Sequence, residues 1–280
     1  MNKIAGKVFL ITGSTQGIGK ELATQIIRLG GKVVFNSRNK EKISSVGILL
    51  EQYKNQCCFI AADVSNPKEA EILISKTIDH YGKIDVLINN AGVSGYGQLL
   101  ESTPIVIEEI IKSNILGSIF PTRFALPHLI NSKGKVIFIS SLAALHGLPG
   151  YSLYSSSKMA LTALYQSLKK ELQMKGVFVG IAYVGFTQND AEKKTFTPDG
   201  TRVEVPERGK FKVATKEKTA RLIINQIVNE EGLKLHSAMG KIAFVMSRLF
   251  PSLLHHIYFC NFKKMHQNDR ISSIKTKKTL

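Results

Sequence analysis

A chain of 280 residues, 44% hydrophobic and 21% charged, can bury a sizeable core, which excludes wholesale disorder. Its net charge of +17 is uneven: residues 1–204 hold 23 bases against 16 acids, and 205–280 hold 15 against 5. The basic last quarter predicts an anionic neighbour such as membrane headgroups or an acidic protein, while bases spread over loops and tail argue against a nucleic-acid partner.

In chain order, Met-Asn-Lys-Ile-Ala-Gly-Lys runs straight into an apolar stretch at 8–12 that is too short for a signal peptide, so a cytoplasmic protein is expected. Further short, nearly continuous apolar runs stand at 32–36, 57–61, 84–89, 135–140 and 177–183, as in strands covered on both faces. Helical periods separate them at 18–29, 40–53, 67–81, 104–130 and 151–175. This alternation predicts an α/β fold, a Rossmann-type doubly wound parallel sheet, in a single domain over 1–237. Cys57, Cys58 and Cys260 form neither a disulfide framework nor a metal-ligand pattern; buried thiols in a reducing compartment and no metal site are expected.

Residues 185–215, with Gly185, Pro198, Gly200, Pro206 and Gly209, read as a long irregular excursion acting as a substrate lid. A helix at 215–229 and a short strand at 233–237 precede a basic amphipathic tail over 238–280, expected to be disordered past 266. Within 241–265, Ile242, Met246, Leu249, Phe250, Leu253, Leu254 and Ile257 share one stripe, with Arg248, Ser252, His255 and His256 largely opposite. Pro251 should kink this segment or begin a second helix, and Arg248 leaves too short an apolar run for a membrane span. Two readings stand: peripheral contact with a membrane, aided by Lys263, Lys264, Arg270, Lys275, Lys277 and Lys278, or packing on the core or on a subunit partner.

Directly after the first strand, Thr12-Gly13-Ser14-Thr15-Gln16-Gly17-Ile18-Gly19 opens the first helix. Its glycines allow a tight turn and let backbone N–H groups approach a pyrophosphate at the helix N-terminus. This spacing, Asn89-Asn90-Ala91-Gly92 after the fourth strand and Tyr154-Ser155-Ser156-Ser157-Lys158 together resemble the non-extended branch of the short-chain dehydrogenase/reductase family, over about residues 5–190. The resemblance implies cofactor contacts from Gly13, Ser14, Thr15, Gln16, Gly17, Ile18, Gly19, Asn90, Ala91, Gly92, Tyr154, Lys158, Gly185 and Thr187. It also implies an adenine contact by Asp63 and Val64, although Asp63 could equally cap the following helix. Ser141, thirteen residues before Tyr154, matches the family's catalytic serine, and Asn114 its helix asparagine, which supports a water linking the lysine to solvent. A homodimer or homotetramer through 104–130 and 151–175 is implied as well. One departure is Val184-Gly185, where the family has Pro-Gly; the fixed φ of proline is lost.

The chemistry follows from the residues themselves. Tyr154 and Lys158 stand at i and i+4, on one face of a helix. A tyrosine ordinarily titrates near pH 10, and a neighbouring ammonium and nicotinamide charge favour its phenolate, so Tyr154 is the candidate general acid/base. The resemblance implies that Ser141 holds the substrate oxygen. At the second strand's end, Asn36-Ser37-Arg38 lacks the acid that selects a ribose 2′-hydroxyl, and Ser37 and Arg38 offer a site for a 2′-phosphate, which predicts NADP, with NADPH preferred. The expected function is NADP(H)-dependent interconversion of a ketone and a secondary alcohol in a small, lipophilic carbonyl or alcohol substrate. A 3-oxoacyl thioester reductase of lipid synthesis is the alternative within the same class. An inactive NADP-binding sensor is the alternative outside it, and the complete set of Asn114, Ser141, Tyr154 and Lys158 argues against that one.

Overall fold

The apolar runs become Val8–Ile11 (β1), Lys32–Ser37 (β2), Cys57–Ala61 (β3), Val86–Asn89 (β4), Lys135–Ser141 (β5) and Phe178–Val184 (β6) in the computed structural model, which describes residues 3–205, 213–260 and 263. Lys194–Phe196 (β7) and Arg202–Glu204 (β8) form a separate antiparallel ribbon, and Leu233–Leu235 (β9) completes the main sheet. That sheet is parallel throughout, in the order β3-β2-β1-β4-β5-β6-β9. Winding reverses between β1 and β4, so a crevice opens outside their carboxyl ends.

The period of two along each strand divides the interior into two layers. Phe9, Ile11, Val33, Phe35, Ile137 and Ile139 pack with helices Gly17–Arg28 (α1), Lys40–Leu49 (α2) and, late in the chain, Lys216–Val228. Leu10, Val34, Val136 and Phe138 point the other way, against Pro67–Tyr81 (α3), Gly117–Ser132 and Ser152–Gln173. Strands that are apolar on both faces therefore have an apolar partner on both. Local signals place the helices: Asn66 accepts the N–H groups of Lys68 and Glu69 (3.0 and 3.3 Å), Pro67 follows as the first helical residue, and Gly82 ends α3 at φ +74°.

The structure departs from the sequence reading at three elements. The helix expected over 104–130 is two, Pro104–Ile111 (α4) and Gly117–Ser132 (α5), joined by a π turn at Lys112–Leu116 that turns Asn114 inward. The helix expected over 40–53 stops at Leu49 and tightens into a 3₁₀ turn, Glu51–Gln56, where Gln56 Nε2 donates to the carbonyls of Ile27 and Gly31. The excursion at 185–215 holds the β7–β8 ribbon, because Pro198-Asp199-Gly200 is a turn sequence: Asp199 Oδ1 accepts Thr201 N–H at 3.0 Å and Gly200 has φ +95°. Its part at 206–212 lies outside the described residues. Of the three cysteines only Cys57 is buried, and burial pushes its thiol up to about 11; Cys58 and Cys260 are half-buried.

After Ser152–Gln173 (α6) and Lys216–Val228 (α7), the tail forms Ala238–Leu249 (α8) and a second helix over 251–260 that Pro251 begins. Leu254 is buried and the Tyr258 ring stacks on His146 at 5.2 Å, while Ile242, Leu249, Phe250, Leu253 and Ile257 stay exposed. No helix among the described residues is long and apolar enough to cross a membrane. Lys264 and the basic residues beyond it, with the disorder expected past 266, lie outside the described residues.

Candidate active site

The ends of β1 and β4 are tied together side by side. Thr12 Oγ1 accepts the N–H groups of Asn90 and Ala91, each at 3.0 Å. Asn90 Nδ2 returns hydrogen bonds to the carbonyls of Thr12 (3.0 Å) and Gly13 (2.9 Å). Gly13 has φ +62°, and a Cβ there would stand 2.9 Å from Ala91 Cα. At Gly19 a Cβ would meet Asn90 Nδ2 at 2.4 Å and Gly13 O at 2.6 Å, so only glycine lets α1 approach this closely. The result is a close-packed glycine turn at the N-terminus of α1, whose dipole favours an anion, and it fits a dinucleotide diphosphate. Ser14 serves the turn itself: fully buried, its hydroxyl donates to Ile11 O (2.8 Å) and accepts Asn36 N–H (2.9 Å). Thr15 is buried beside it, whereas Gln16 is exposed and accepts a hydrogen bond from Lys42 at 2.8 Å; Ile18 packs inward against the core. The N–H of Gly17 is taken by the carboxylate of Asp190, a residue that sequence reasoning had not singled out.

At the end of β2, Ser37 Oγ accepts Asn39 N–H at 3.2 Å, and Arg38 projects half-exposed, 3.3 Å from Glu109 and 3.9 Å from Asp63. Asn66, not Asp63, caps α3; Asp63 instead braces its own loop by accepting Ser65 N–H and Oγ–H at 2.9 and 2.7 Å. Val64 is buried, and a Cβ on Gly117 would approach it to 3.3 Å.

Three elements converge beside this crevice. From α6, the Lys158 ammonium lies 6.0 Å from the centre of the Tyr154 ring and donates to Ile139 O at 3.1 Å. Lys158 is only 6% exposed, and burial, reinforced by the charge of Lys193, pushes its ammonium down to about 8. From the π turn, fully buried Asn114 accepts Val93 N–H at 2.7 Å and donates to Val93 O (3.0 Å) and Ser157 Oγ (2.8 Å). Gly92, beyond β4, fits between them: a Cβ there would stand 2.9 Å from Asn114 Oδ1 and 3.4 Å from Lys158 Nζ. Ser141 ends β5 and caps the next turn by accepting Ala143 N–H at 3.2 Å, while Ser140 Oγ donates to Lys158 O at 3.2 Å. Ser157 is a link that the sequence motif contains but does not explain: it joins the Asn114 amide to Tyr154 O (2.7 Å).

After β6, Gly185 lies close to Ser237, and Thr187 is buried with its hydroxyl on Thr219 Oγ1 (3.1 Å) and Gly185 O (3.2 Å), turned toward α7. Phe186 and Gln188 pair with the backbone of Ala214 (2.8 and 2.9 Å), which restrains a loop that has lost the family's proline. Leu153, which precedes Tyr154 on α6, lines a pocket together with Tyr96, Val106, Ile110, Tyr151 and Phe196. Phe196 of β7 packs on Val106 and Ile110 of α4, so this excursion forms one wall of the pocket. No cluster able to hold a metal ion occurs among the described residues.

Comparison with known proteins gives concordant results. The sequence profile of the family described as short chain dehydrogenase matches residues 7–199. A protein of Arabidopsis thaliana named 11-beta-hydroxysteroid dehydrogenase-like 2 is 37% identical over 195 residues, which are 69% of this chain and 63% of that protein. The chain thus spans under two thirds of that relative's length. Another from the same plant, 11-beta-hydroxysteroid dehydrogenase 1A, is 30% identical over 257 residues, 89% of this chain and 73% of that protein. Among solved structures, a short chain dehydrogenase/reductase from Burkholderia phymatum in complex with NAD superposes with a TM-score of 0.78 at 21% identity, over 90% of this chain and 96% of that one, a likeness of fold. ElxO with NADP bound gives 0.72 at 27% identity, over 82% and 96%.

Proposed function

The chain belongs to the short-chain dehydrogenase family, and from that premise we propose that it is an NADP(H)-dependent oxidoreductase interconverting a ketone and a secondary alcohol on a lipophilic substrate. The observation that carries the reading is the Lys158 ammonium: 6% exposed, 6.0 Å from the Tyr154 ring, and against Gly92 beside the glycine cradle. The cradle of Gly13, Gly17 and Gly19 would hold the diphosphate, and the nicotinamide group, when bound, supplies or accepts the hydride. Tyr154 gives its phenolic proton to the substrate oxygen in reduction and takes it back in oxidation. The Lys158 charge steadies the phenolate left behind. Ser141 would hold the substrate oxygen, and Asn114 fixes the π turn against α6 through Ser157. The apolar pocket under Phe196, walled by the 185–215 excursion acting as a lid, favours an apolar substrate, and the two relatives named as hydroxysteroid dehydrogenases support one of steroid type. A screen of steroid-type and long-chain ketones, run with NADPH and NADH in parallel, tests the assignment. No turnover with either cofactor would overturn it.

NADP preference rests on Arg38 and on the absence of an acid at 36–38. A charge-assisted pair with a 2′-phosphate contributes about 1.5–3 kcal/mol. Arg38→Ala should therefore raise Kd for NADPH about 10- to 100-fold and leave Kd for NADH unchanged, measured by fluorescence titration. Equal losses for both cofactors would remove Arg38 from phosphate recognition.

The exposed apolar face of α8 and the helix after it, with Lys241, Arg248 and Lys263 nearby, supports peripheral contact with the cytoplasmic face of an anionic membrane. Replacing Ile242, Leu249 and Leu253 by Asp should abolish flotation with phosphatidylserine vesicles. Flotation equal to that of the unmodified chain would sink the membrane contact. A homodimer or homotetramer through the surfaces of α4, α5 and α6 completes the proposal.

A further inference from the structure

The segment 188–193 follows β6 and meets the N-terminus of α1 through Asp190. The Asp190 carboxylate accepts the N–H of Gly17, the first residue of α1, and pairs with Lys216, the first residue of α7. Lys20, one turn into α1, adds its positive charge there. Burial works against the ionised carboxyl, yet the hydrogen bonds from Lys216 and Gly17 and the charges of Lys216 and Lys20 hold it below the usual carboxylate range. Two residues on, Glu192 stands 3.5 Å from Lys42, whose ammonium also donates to Gln16 Oε1 at 2.8 Å. Both anions of this short segment are thus tied to the glycine turn or its immediate neighbour.

A backbone N–H at a helix N-terminus serves one anion at a time, and this one would face the cofactor's diphosphate. We propose that Asp190 is an internal placeholder for the diphosphate, and that on binding Lys216 passes from the Asp190 carboxylate to the phosphate oxygens, which makes Lys216 a cofactor-binding residue. The proposal rests on the dinucleotide reading above. Lys216 is only 27% exposed, so when the carboxylate leaves, an unpaired ammonium would remain half-buried beside the vacated N–H. A second anion arriving at the same point satisfies both groups.

The test is calorimetric titration of the full chain, of Asp190→Asn and of Lys216→Gln, with three probes. NADPH and ADP-ribose carry the diphosphate; adenosine does not. If the occupied state holds about nine-tenths of the free protein, its removal tightens binding about tenfold. Asp190→Asn should therefore bind NADPH and ADP-ribose about tenfold more tightly and adenosine no differently, while Lys216→Gln should weaken the first two in either background. Melting curves provide a second reading: Asp190→Asn should lower the Tm of the free protein and not that of the NADPH complex. Unchanged or weaker NADPH binding by Asp190→Asn, with the unmodified chain binding well, would overturn the exchange alone. An unmodified chain that binds neither NADPH nor ADP-ribose would defeat the dinucleotide reading and the exchange with it.

Discussion

Tyr154→Phe should lower kcat for ketone reduction about a thousandfold while leaving Kd for NADPH within about twofold. Proton transfer by a positioned side chain contributes about 10²- to 10⁴-fold, and phenylalanine removes the proton while keeping the ring. The interaction lost is one made in the transition state, so kcat should fall and ground-state binding should not. Steady-state NADPH oxidation and fluorescence titration measure the two quantities. A loss below about tenfold would mean that another group carries the proton.

Lys158→Met should do two opposite things: cost at least about a hundredfold in turnover, and make the protein more stable at pH 7. Burial pushes the ammonium from its ordinary 10.5 down to about 8. Between those values the unfolded chain holds more protons than the native one, so native stability rises with pH through that window. Below about pH 8 the native state bears the full cost of the desolvated charge, about 3 kcal/mol. Methionine removes that cost but also the hydrogen bond to Ile139 O, a loss of about 1 kcal/mol. The net gain at pH 7 is about 2 kcal/mol, shrinking as pH approaches 10.5. Thermal melts at pH 7 and pH 10 measure it. If Lys158→Met proves less stable than the parent at pH 7, the ammonium is better solvated than its surroundings imply.

What could be read from the sequence was local. The glycine spacing of 13–19 and the four-residue step from Tyr154 to Lys158 each specify geometry within one turn, and the structure keeps the first at the opening of α1 and the second on α6. Continuous apolar runs located every strand of the main sheet's first six, to within two residues. Long-range partners escaped. The π turn exists so that Asn114 can reach Val93, 21 positions away, and no periodicity encodes that. Asp190 meets Gly17 across 173 positions, so nothing near either residue announces the contact. The ribbon at 194–204 is a different case: Pro198-Asp199-Gly200 did carry its turn signal, obscured by the surrounding lysines and glutamates. Asp63 lost the capping role to Asn66 because proline at 67 fixes where α3 begins.

The hydrogen bonds from Asn90 and Ala91 to Thr12 bridge 78 and 79 positions, so neither half of the crevice exists without the other. During synthesis the glycine turn emerges early but has no opposing wall until the fourth strand docks against the first. Long-range pairing of this kind forms slowly. Any ligand that grips the completed crevice therefore stabilises the joint between the first and fourth strands, and its occupancy reports that the two halves have found one another.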